Sequence, residues 1–63
     1  MLMTIGYYWK EYVINGRTYF VEQYADKPYF VKLWAYGYIH KGLAYHISSG
    51  LRTRPNLKRL VGG

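Results

Sequence analysis

The dipeptide Asn15-Gly16 places the strongest constraint on how this chain folds. A two-residue type I′ hairpin turn needs positive φ at both central positions, which Asn and Gly tolerate best. Apolar and polar side chains alternate on both sides of the dipeptide, as is typical of β-strands. The sequence therefore predicts a hairpin with these facing pairs: Ile14 with Arg17, Tyr12 with Tyr19, Lys10 with Val21, and Trp9 with Glu22.

The same period of two runs from residue 4 to residue 48, and further turn residues interrupt it at Asp26–Pro28 and Lys41–Gly42. This pattern predicts four antiparallel strands. Gly6 and Gly37 lie inside strands and are natural places for a bend or bulge. The predicted fold class is therefore mostly all-β, either a four-stranded antiparallel sheet or a small open barrel, with a short C-terminal helix.

The second hairpin is predicted to have a three-residue loop, His40–Gly42, with Gly42 in the left-handed conformation. Ile39 then pairs with Leu43. This register predicts a core face made of Val31, Leu33, Ala35, Ile39, Leu43, Tyr45 and Ile47. It predicts an aromatic and basic face in contact with water, made of Lys32, Trp34, Tyr36, Tyr38, His46 and Ser48.

The first hairpin divides less cleanly between two faces, because Glu11 and Glu22 share a face with Trp9 and Phe20. An uncompensated buried carboxylate is very costly. Either the glutamates lie near strand ends or a bulge, or this face is the one in contact with water. The sequence leaves both arrangements open.

The C-terminal segment departs from the alternating pattern. Ser48–Gly50 is predicted to be a linker, and residues 52–62 are predicted to contain a short helix. Arg54 precedes a proline and is expected to be non-helical. Pro55 suits the first turn of a helix, and Gly62 suits the position just past its end.

The apolar residues of this helix have the spacing i, i+3 and i+4, so we expect three of them to dock on the sheet: Leu57, Leu60 and Val61. The chain is then one domain, residues 1–63, with a sheet over residues 4–48 and a basic segment over residues 49–63. Four cations of this segment supply much of the net charge: Arg52, Arg54, Lys58 and Arg59.

A chain of 63 residues without cysteine has few ways to reach a stable fold. Small domains bury little of their surface, and disulfides cannot compensate here. Two histidines and three acids are a poor ligand set for a structural zinc ion. We therefore expect dense aromatic packing or self-association, as a homo-oligomer such as a homodimer.

The chain has no run of 18 apolar residues, and its start lacks the pattern of a secretory signal. We therefore expect a soluble, cytoplasmic protein without a membrane span. The sequence offers few candidate catalytic residues, because the two histidines and three acids form no recognisable acid–base or nucleophilic arrangement. The prediction is a non-catalytic protein without a metal or cofactor.

Charge and aromatic content together indicate a binding function. Nine Lys and Arg residues against three acids give a net charge of +6, which attracts nucleic acid or an acidic protein. Flat rings beside cations hold single-stranded nucleic acid, because bases stack on the rings while phosphates meet Lys and Arg. The predicted nucleic-acid contacts are Lys10, Arg17, Lys32, Trp34, Tyr36, Tyr38, His46, Arg52, Arg54, Lys58 and Arg59.

Single-stranded DNA or RNA is the favoured partner, with duplex binding as a competing mode. The alternative is a small protein–protein interaction module, an inhibitor or assembly factor, whose tyrosine-rich face holds an acidic partner. Nine tyrosines suit either interpretation, since a tyrosine ring has an apolar body and a hydroxyl that needs water or a partner.

The stretch Tyr36-Gly37-Tyr38-Ile39 resembles the centre of the RNP1 motif of RRM and cold-shock domains. In that motif an aromatic–Gly–aromatic–aliphatic run places two base-stacking rings on one strand. The resemblance extends from Trp34 to Lys41 and departs from the motif at both of these ends and at the position after Trp34. It implies that Tyr36 and Tyr38 stack on bases.

Overall fold

The computed structural model describes residues 6–26, 29 and 31–62 of the chain. Four antiparallel strands form one open sheet in the order β1-β2-β3-β4, and a short helix follows them. The predicted four-stranded sheet with a C-terminal helix is confirmed. The elements are β1 (Gly6–Ile14), β2 (Arg17–Asp26), β3 (Val31–His40), β4 (Leu43–Leu51) and α1 (Leu57–Val61). The predicted strand start at Thr4 and the turn residues Lys27 and Pro28 lie outside the described residues.

The first hairpin has the predicted register in all four pairs, from Ile14 with Arg17 to Trp9 with Glu22. Asn15 has φ 53° and Gly16 has φ 77°, so both occupy the left-handed region that a two-residue turn requires. The register of β1 shifts between Gly6 and Tyr8, where the sequence predicts a bend.

The second hairpin differs from the prediction by one residue. Its turn has two central residues, because Lys41 (φ 52°) adopts the left-handed conformation together with Gly42 (φ 79°). His40 therefore pairs with Leu43, whereas the predicted three-residue loop paired Ile39 with Leu43. A lysine with positive φ is uncommon, which is why the glycine alone was expected to take this conformation.

A shift of one residue in register moves side chains to the opposite face of a sheet. Tyr45 accordingly lies beside Tyr38, and their rings stack with centroids 5.1 Å apart. His46 lies opposite Gly37 and next to Phe20 on the other face. The prediction that Leu43 and Tyr45 belong to the core face, and His46 to the aromatic and basic face, is wrong.

The main core lies on the face that carries Tyr19 and Val21, which we call the helix face. Leu57 of α1 is 4% exposed and packs against these two side chains, which are themselves buried. Half-buried side chains surround this cluster: Tyr8, Tyr12, Ile14, Trp34, Tyr36 and Val61. The buried face is therefore the one that was expected to face water.

Most of the residues predicted as core are consequently exposed. Four of them keep between two fifths and three fifths of their surface in contact with solvent: Val31, Leu43, Tyr45 and Ile47. Ala35 is fully buried, as expected, and Leu33 and Ile39 are half-buried. Beneath the helix the sheet places mostly aromatic rings, together with Val21 and Ile14, and not the aliphatic residues of β3 and β4 that were predicted as core.

The opposite face, which we call the acidic face, carries Trp9, Glu11, Phe20, Glu22 and His46. Phe20 is fully buried there, because Trp9 stacks on it at 4.5 Å between centroids and His46 meets it edge-on at 5.2 Å. Trp9 Nε1 donates to Glu11 Oε2 at 3.0 Å, and His46 Nε2 hydrogen-bonds Glu22 Oε1. The face with the glutamates is therefore the one left in contact with water.

Gly37 allows β4 to approach β3 unusually closely. A Cβ atom at this position would lie 1.9 Å from the carbonyl oxygen of Tyr45 and 2.9 Å from the Cα of His46. The register between β3 and β4 shifts on both sides of Tyr36, next to this contact. A register irregularity and a close approach of the two backbones therefore coincide at Gly37.

Three further predictions, all for the C-terminal segment, are wrong. β4 continues to Leu51, so Ser48–Gly50 belongs to a strand and is not a linker. Asn56 is the N-cap of α1, and its side chain accepts from the backbone N–H of Arg59 at 3.4 Å, so Pro55 precedes the cap. Leu60 is 52% exposed and does not dock on the sheet, because a helix of five residues buries little beyond Leu57.

We expect Gly37→Ala to lower the free energy of unfolding by about 3 kcal/mol or more, because the new methyl group displaces backbone and not a flexible side chain. Urea denaturation followed by circular dichroism measures this loss. Gly50→Ala is the control, since Gly50 has φ 72° but open space around it, so only the conformational cost of about 1–2 kcal/mol is expected. Equal losses in the two variants would contradict the proposed close approach.

Candidate nucleic-acid interface

The register of the strands brings several of the predicted contact residues together on the helix face. β1 contributes Lys10, β2 contributes Arg17, and alternate positions of β3 contribute the rest: Lys32, Trp34, Tyr36 and Tyr38. His46 does not belong to this group, because it lies on the acidic face and pairs with Glu22. The one-residue change in the β3–β4 turn is the reason.

The chain after β4 crosses the helix face and leaves a cleft on the β4 side of α1, which we call the arginine cleft. Its volume is about 600 Å³, and its lining includes Tyr36, Ser48, Arg52, Arg54 and Arg59. Tyr36 and Ser48 form its floor as a cross-strand pair of β3 and β4. Three arginine residues thus border one cleft whose floor holds an aromatic ring.

Arg54 anchors the C-terminal segment to the sheet. Its Nη2 donates to the hydroxyl of Tyr8 at 2.7 Å and also to the hydroxyl of Tyr12. The guanidinium carbon lies 4.8 Å from the ring centroid of Tyr8 and 5.8 Å from that of Trp34. Such stacking of a cation on rings adds to the hydrogen bonds, so Arg54 holds the segment down where it enters α1.

These contacts shift the pKa values of both partners. Desolvation raises the pKa of the Tyr12 phenol, but hydrogen bonds with Tyr8 and Arg54 and the positive charges of Arg54 and Lys10 outweigh it, so the net pKa is lowered. For Arg54, desolvation acts against the charged form, but the hydrogen bond and charge interaction with Tyr12 leave its pKa raised. Arg54 therefore remains a permanent cation at the edge of the cleft.

The three rings predicted to stack on bases are not equally accessible. Trp34 and Tyr36 are half-buried because they pack around the Leu57 cluster, and Trp34 also meets Tyr8 edge-on at 5.6 Å. Tyr38 is 40% exposed, as is its stacked neighbour Tyr45 at 41%. The accessible aromatic surface is therefore the Tyr38–Tyr45 pair together with the part of Tyr36 that lines the cleft.

A second recess, of about 550 Å³, lies where the two hairpin turns meet and includes Arg17, Tyr38 and His40 in its lining. Tyr36 and Tyr38 are alternate residues of β3 and lie about 7 Å apart along the strand. The arginine cleft and this recess are therefore neighbours along β3. Together they form a track of rings and cations along one side of α1.

The remaining predicted cations lie away from this track. Lys10 is 5.5 Å from the ring centroid of Tyr12 on β1, and Lys58 lines a separate cleft on the β1 side of α1. Lys32 lies near the opposite end of β3 from the turn and takes part in interactions of its own. Lys10, Lys32 and Lys58 thus lie outside the arginine cleft, although Arg54 borders the cleft of Lys58 as well and shares Tyr12 with Lys10.

Positive and negative charges are segregated between the two faces. Glu11 and Glu22 are the acids whose side chains the structure describes, and both lie on the acidic face, bound to Trp9 and His46. The arginine cleft includes no described Asp or Glu in its lining. An anion in this cleft would meet guanidinium groups without a competing carboxylate beside them.

Sequence reasoning missed Tyr45, Tyr8 and Tyr12 as parts of this surface. The position of Tyr45 depends on the length of the β3–β4 turn. Tyr45 lies on the helix face because the turn has only two central residues, Lys41 and Gly42. Tyr8 and Tyr12 alternate with Lys10 in the sequence, which places all three on one face, but nothing in the pattern indicates that Arg54 reaches them.

No family model matches this chain, and no curated protein or solved structure is significantly similar to it. Among residues 6–26, 29 and 31–62, no helix combines the length and apolar character that a membrane crossing requires. The same residues contain no group of three or more His, Asp or Glu side chains placed to hold a metal ion.

We expect Tyr12 to ionise at a lower pH than an ordinary tyrosine, whose pKa is about 10. In a spectrophotometric titration of tyrosinate, the earliest step should vanish in Tyr12→Phe and move to higher pH in Arg54→Gln. Because the folded-state pKa is lowered, folding stability relative to Tyr12→Phe rises as the pH increases from the folded to the unfolded pKa. Arg52→Gln is the control, because it removes the same charge without touching Tyr12, and it should leave the early step in place. An unchanged early step in Arg54→Gln would contradict the assignment of that step to Tyr12 beside Arg54.

Proposed function

We propose that this protein binds single-stranded nucleic acid without catalysing a reaction, through the arginine cleft and the Tyr38–Tyr45 pair. The observation that carries the proposal is the grouping of Arg52, Arg54 and Arg59 around one cleft with no described acid in its lining. Phosphates would meet the guanidinium groups, which form strong, charge-assisted hydrogen bonds with them. Bases would stack on the accessible rings.

The shape of the surface supports a single strand over a duplex. The rings next to the cations are reached from within a cleft and along the flank of α1, where an unpaired base can insert. In a duplex the faces of the bases are stacked on each other, so they cannot cover Tyr38 or Tyr36. Stacking on aromatic rings tolerates any base, so binding with little sequence preference is expected.

The resemblance to RNP1 supports the proposal only through Tyr38, whose ring is exposed. Tyr38 is accessible as that motif implies, whereas Tyr36 shares its surface with the core. Gly37 is required by the close approach of β4, whatever the chain binds. The proposal therefore depends on the arginines and Tyr38 and does not depend on membership of a known family.

We expect the affinity for a single-stranded oligonucleotide of about 10 nucleotides to fall with salt at a log–log slope of about −0.7 for each phosphate contacted. Arg52→Gln should make this slope shallower by about 0.7, because it removes one phosphate contact. Fluorescence anisotropy at a series of salt concentrations measures the slope. Lys41→Asn is the matched control: it removes the same charge from the β3–β4 turn, and asparagine accepts the positive φ of that position.

The two variants separate local contact from overall charge. If Lys41→Asn and Arg52→Gln alter the slope equally, the net charge of +6 and not the cleft attracts the oligonucleotide, and the proposed site is wrong. If no oligonucleotide binds at any salt concentration while an acidic protein binds at the arginines, the protein-interaction alternative is the correct one.

Stacking is tested separately with Tyr38→Ala. Loss of one stacked base weakens binding by about 1–3 kcal/mol, or about 5- to 150-fold. Tyr29→Ala is the control, because Tyr29 is 82% exposed and is absent from the linings of the arginine cleft and the hairpin recess. Isothermal titration with the same oligonucleotide should show the loss in Tyr38→Ala alone. Equal affinities in the two variants would remove Tyr38 from the site.

The proposed particle is a homodimer. A cysteine-free chain of 63 residues lacks disulfides and has only a small core, so association is an available source of further burial. The buried hydrophobic residues among those described are only five: Tyr19, Phe20, Val21, Ala35 and Leu57.

A further inference from the structure

The acidic face is apolar apart from its few paired polar groups, and among the described residues only its own side chains cover it, as Trp9 and His46 cover Phe20. One row of side chains crosses all four strands on this face, with Val13, Thr18, Ile39 and Ala44 as cross-strand neighbours. Val13 is 73% exposed, and Trp9 on the same face is 48% exposed. The C-terminal helix packs only on the opposite side of the sheet.

The architecture is incomplete on this side. Domains are stable when each apolar sheet face packs against a second layer. The smallest extent of the Cα atoms is 15 Å, which accommodates the sheet and the segment lying on its helix face. The described residues supply no second layer on the acidic face, and another molecule can supply one.

Charge argues against an anionic partner on this face. Among the described strand residues, those that the register places on the acidic face include no Lys or Arg, so the cations lie elsewhere. An anionic partner would meet Glu11 and Glu22 here without any compensating cation. A second copy with a net charge of +6 could approach with its own acidic face while its cations point away.

We propose that two copies of this chain pack acidic face to acidic face, forming a two-layer sandwich with both arginine clefts on the outside. The carboxylates enter this interface with partners already in place, since Glu22 pairs with His46 and Glu11 accepts from the indole of Trp9. Paired polar groups are much cheaper to bury than isolated ones. The exposed row through Val13 supplies apolar contact between the sheets.

The available area matches a specific dimer. Strands of nine to ten residues are about 30 Å long, and four strands spaced about 4.8 Å apart give a face of about 600 Å². Two such faces bury about 1,200 Å², which reaches the size of specific protein–protein interfaces. Open β-sheets packed face to face are the arrangement found in β-sandwiches.

The dimer has a consequence for binding that rests on the proposed function. Two clefts on opposite outer faces cannot hold one short oligonucleotide, so the dimer would bind two strands or two separated parts of one strand. Such a particle bridges nucleic acid. Avidity then raises the apparent affinity for a long strand without any new contact.

The test is the solution mass of the full chain, free of nucleic acid, by size-exclusion chromatography with light scattering. The wild type should be a dimer, at twice the monomer mass of 7.5 kDa. Val13→Glu places a carboxylate near Glu11 at the β1 edge of the contact, and the variant should become monomeric at the same concentration. Ala44→Glu, at the opposite edge of the same row, should have the same effect.

Leu43→Glu is the matched control. Leu43 is 60% exposed, like Val13, but its pairing with His40 places it on the helix face, so this variant should remain dimeric. Circular dichroism verifies that all variants keep their strands. A monomeric wild type, or a dimer that only Leu43→Glu disrupts, overturns the proposal.

Oligonucleotide binding separates this proposal from the previous one. The monomeric Val13→Glu variant should retain the affinity of the wild type for a short single strand and lose the bridging of two strands. Loss of bridging with intact short-strand binding supports the acidic face as the dimer contact. A stable dimer that binds no oligonucleotide supports the interface and contradicts the nucleic-acid function.

Discussion

The contact of Leu57 with Tyr19 and Val21 decides which side of the sheet is covered. Arg54 reinforces it by donating to the hydroxyls of Tyr8 and Tyr12 just before the helix begins. Once the segment lies there, the rings beneath it become half-buried and the arginine cleft forms along its flank. Among the described residues, no second layer lies on the acidic face. The core, the cleft and the open face all follow from this docking.

The segregation of charge makes the two faces suited to different kinds of partner. Arginine residues line a cleft on one side, while the two described glutamates lie on the other, each held by an aromatic side chain. Long-range attraction draws an anion to the basic side, and the opposite side offers mainly apolar contact. The proposed nucleic-acid site and the proposed dimer contact therefore lie on opposite faces, so neither partner would exclude the other.

Local backbone chemistry was predicted well, because it depends on few residues. Asn15 and Gly16 fixed the first hairpin and its register, and Gly37 indicated the place of the register irregularity in the third strand. The second turn was predicted one residue too long, since the sequence does not reveal that Lys41 adopts a positive φ. That single error placed Tyr45 and His46 on the wrong faces, because side chains in a strand alternate with a period of two.

The sequence by itself determined a four-stranded antiparallel sheet, a net charge of +6 and the sides on which most rings and cations of the first three strands lie. Only the tertiary structure decided which side is buried, because both faces carry enough apolar surface to accept the helix. It also decided that Arg54 meets Tyr8 and Tyr12, more than forty residues earlier in the chain. Periodicity describes neighbours along a strand, whereas the docking of a distant segment depends on shape and packing that no local pattern encodes.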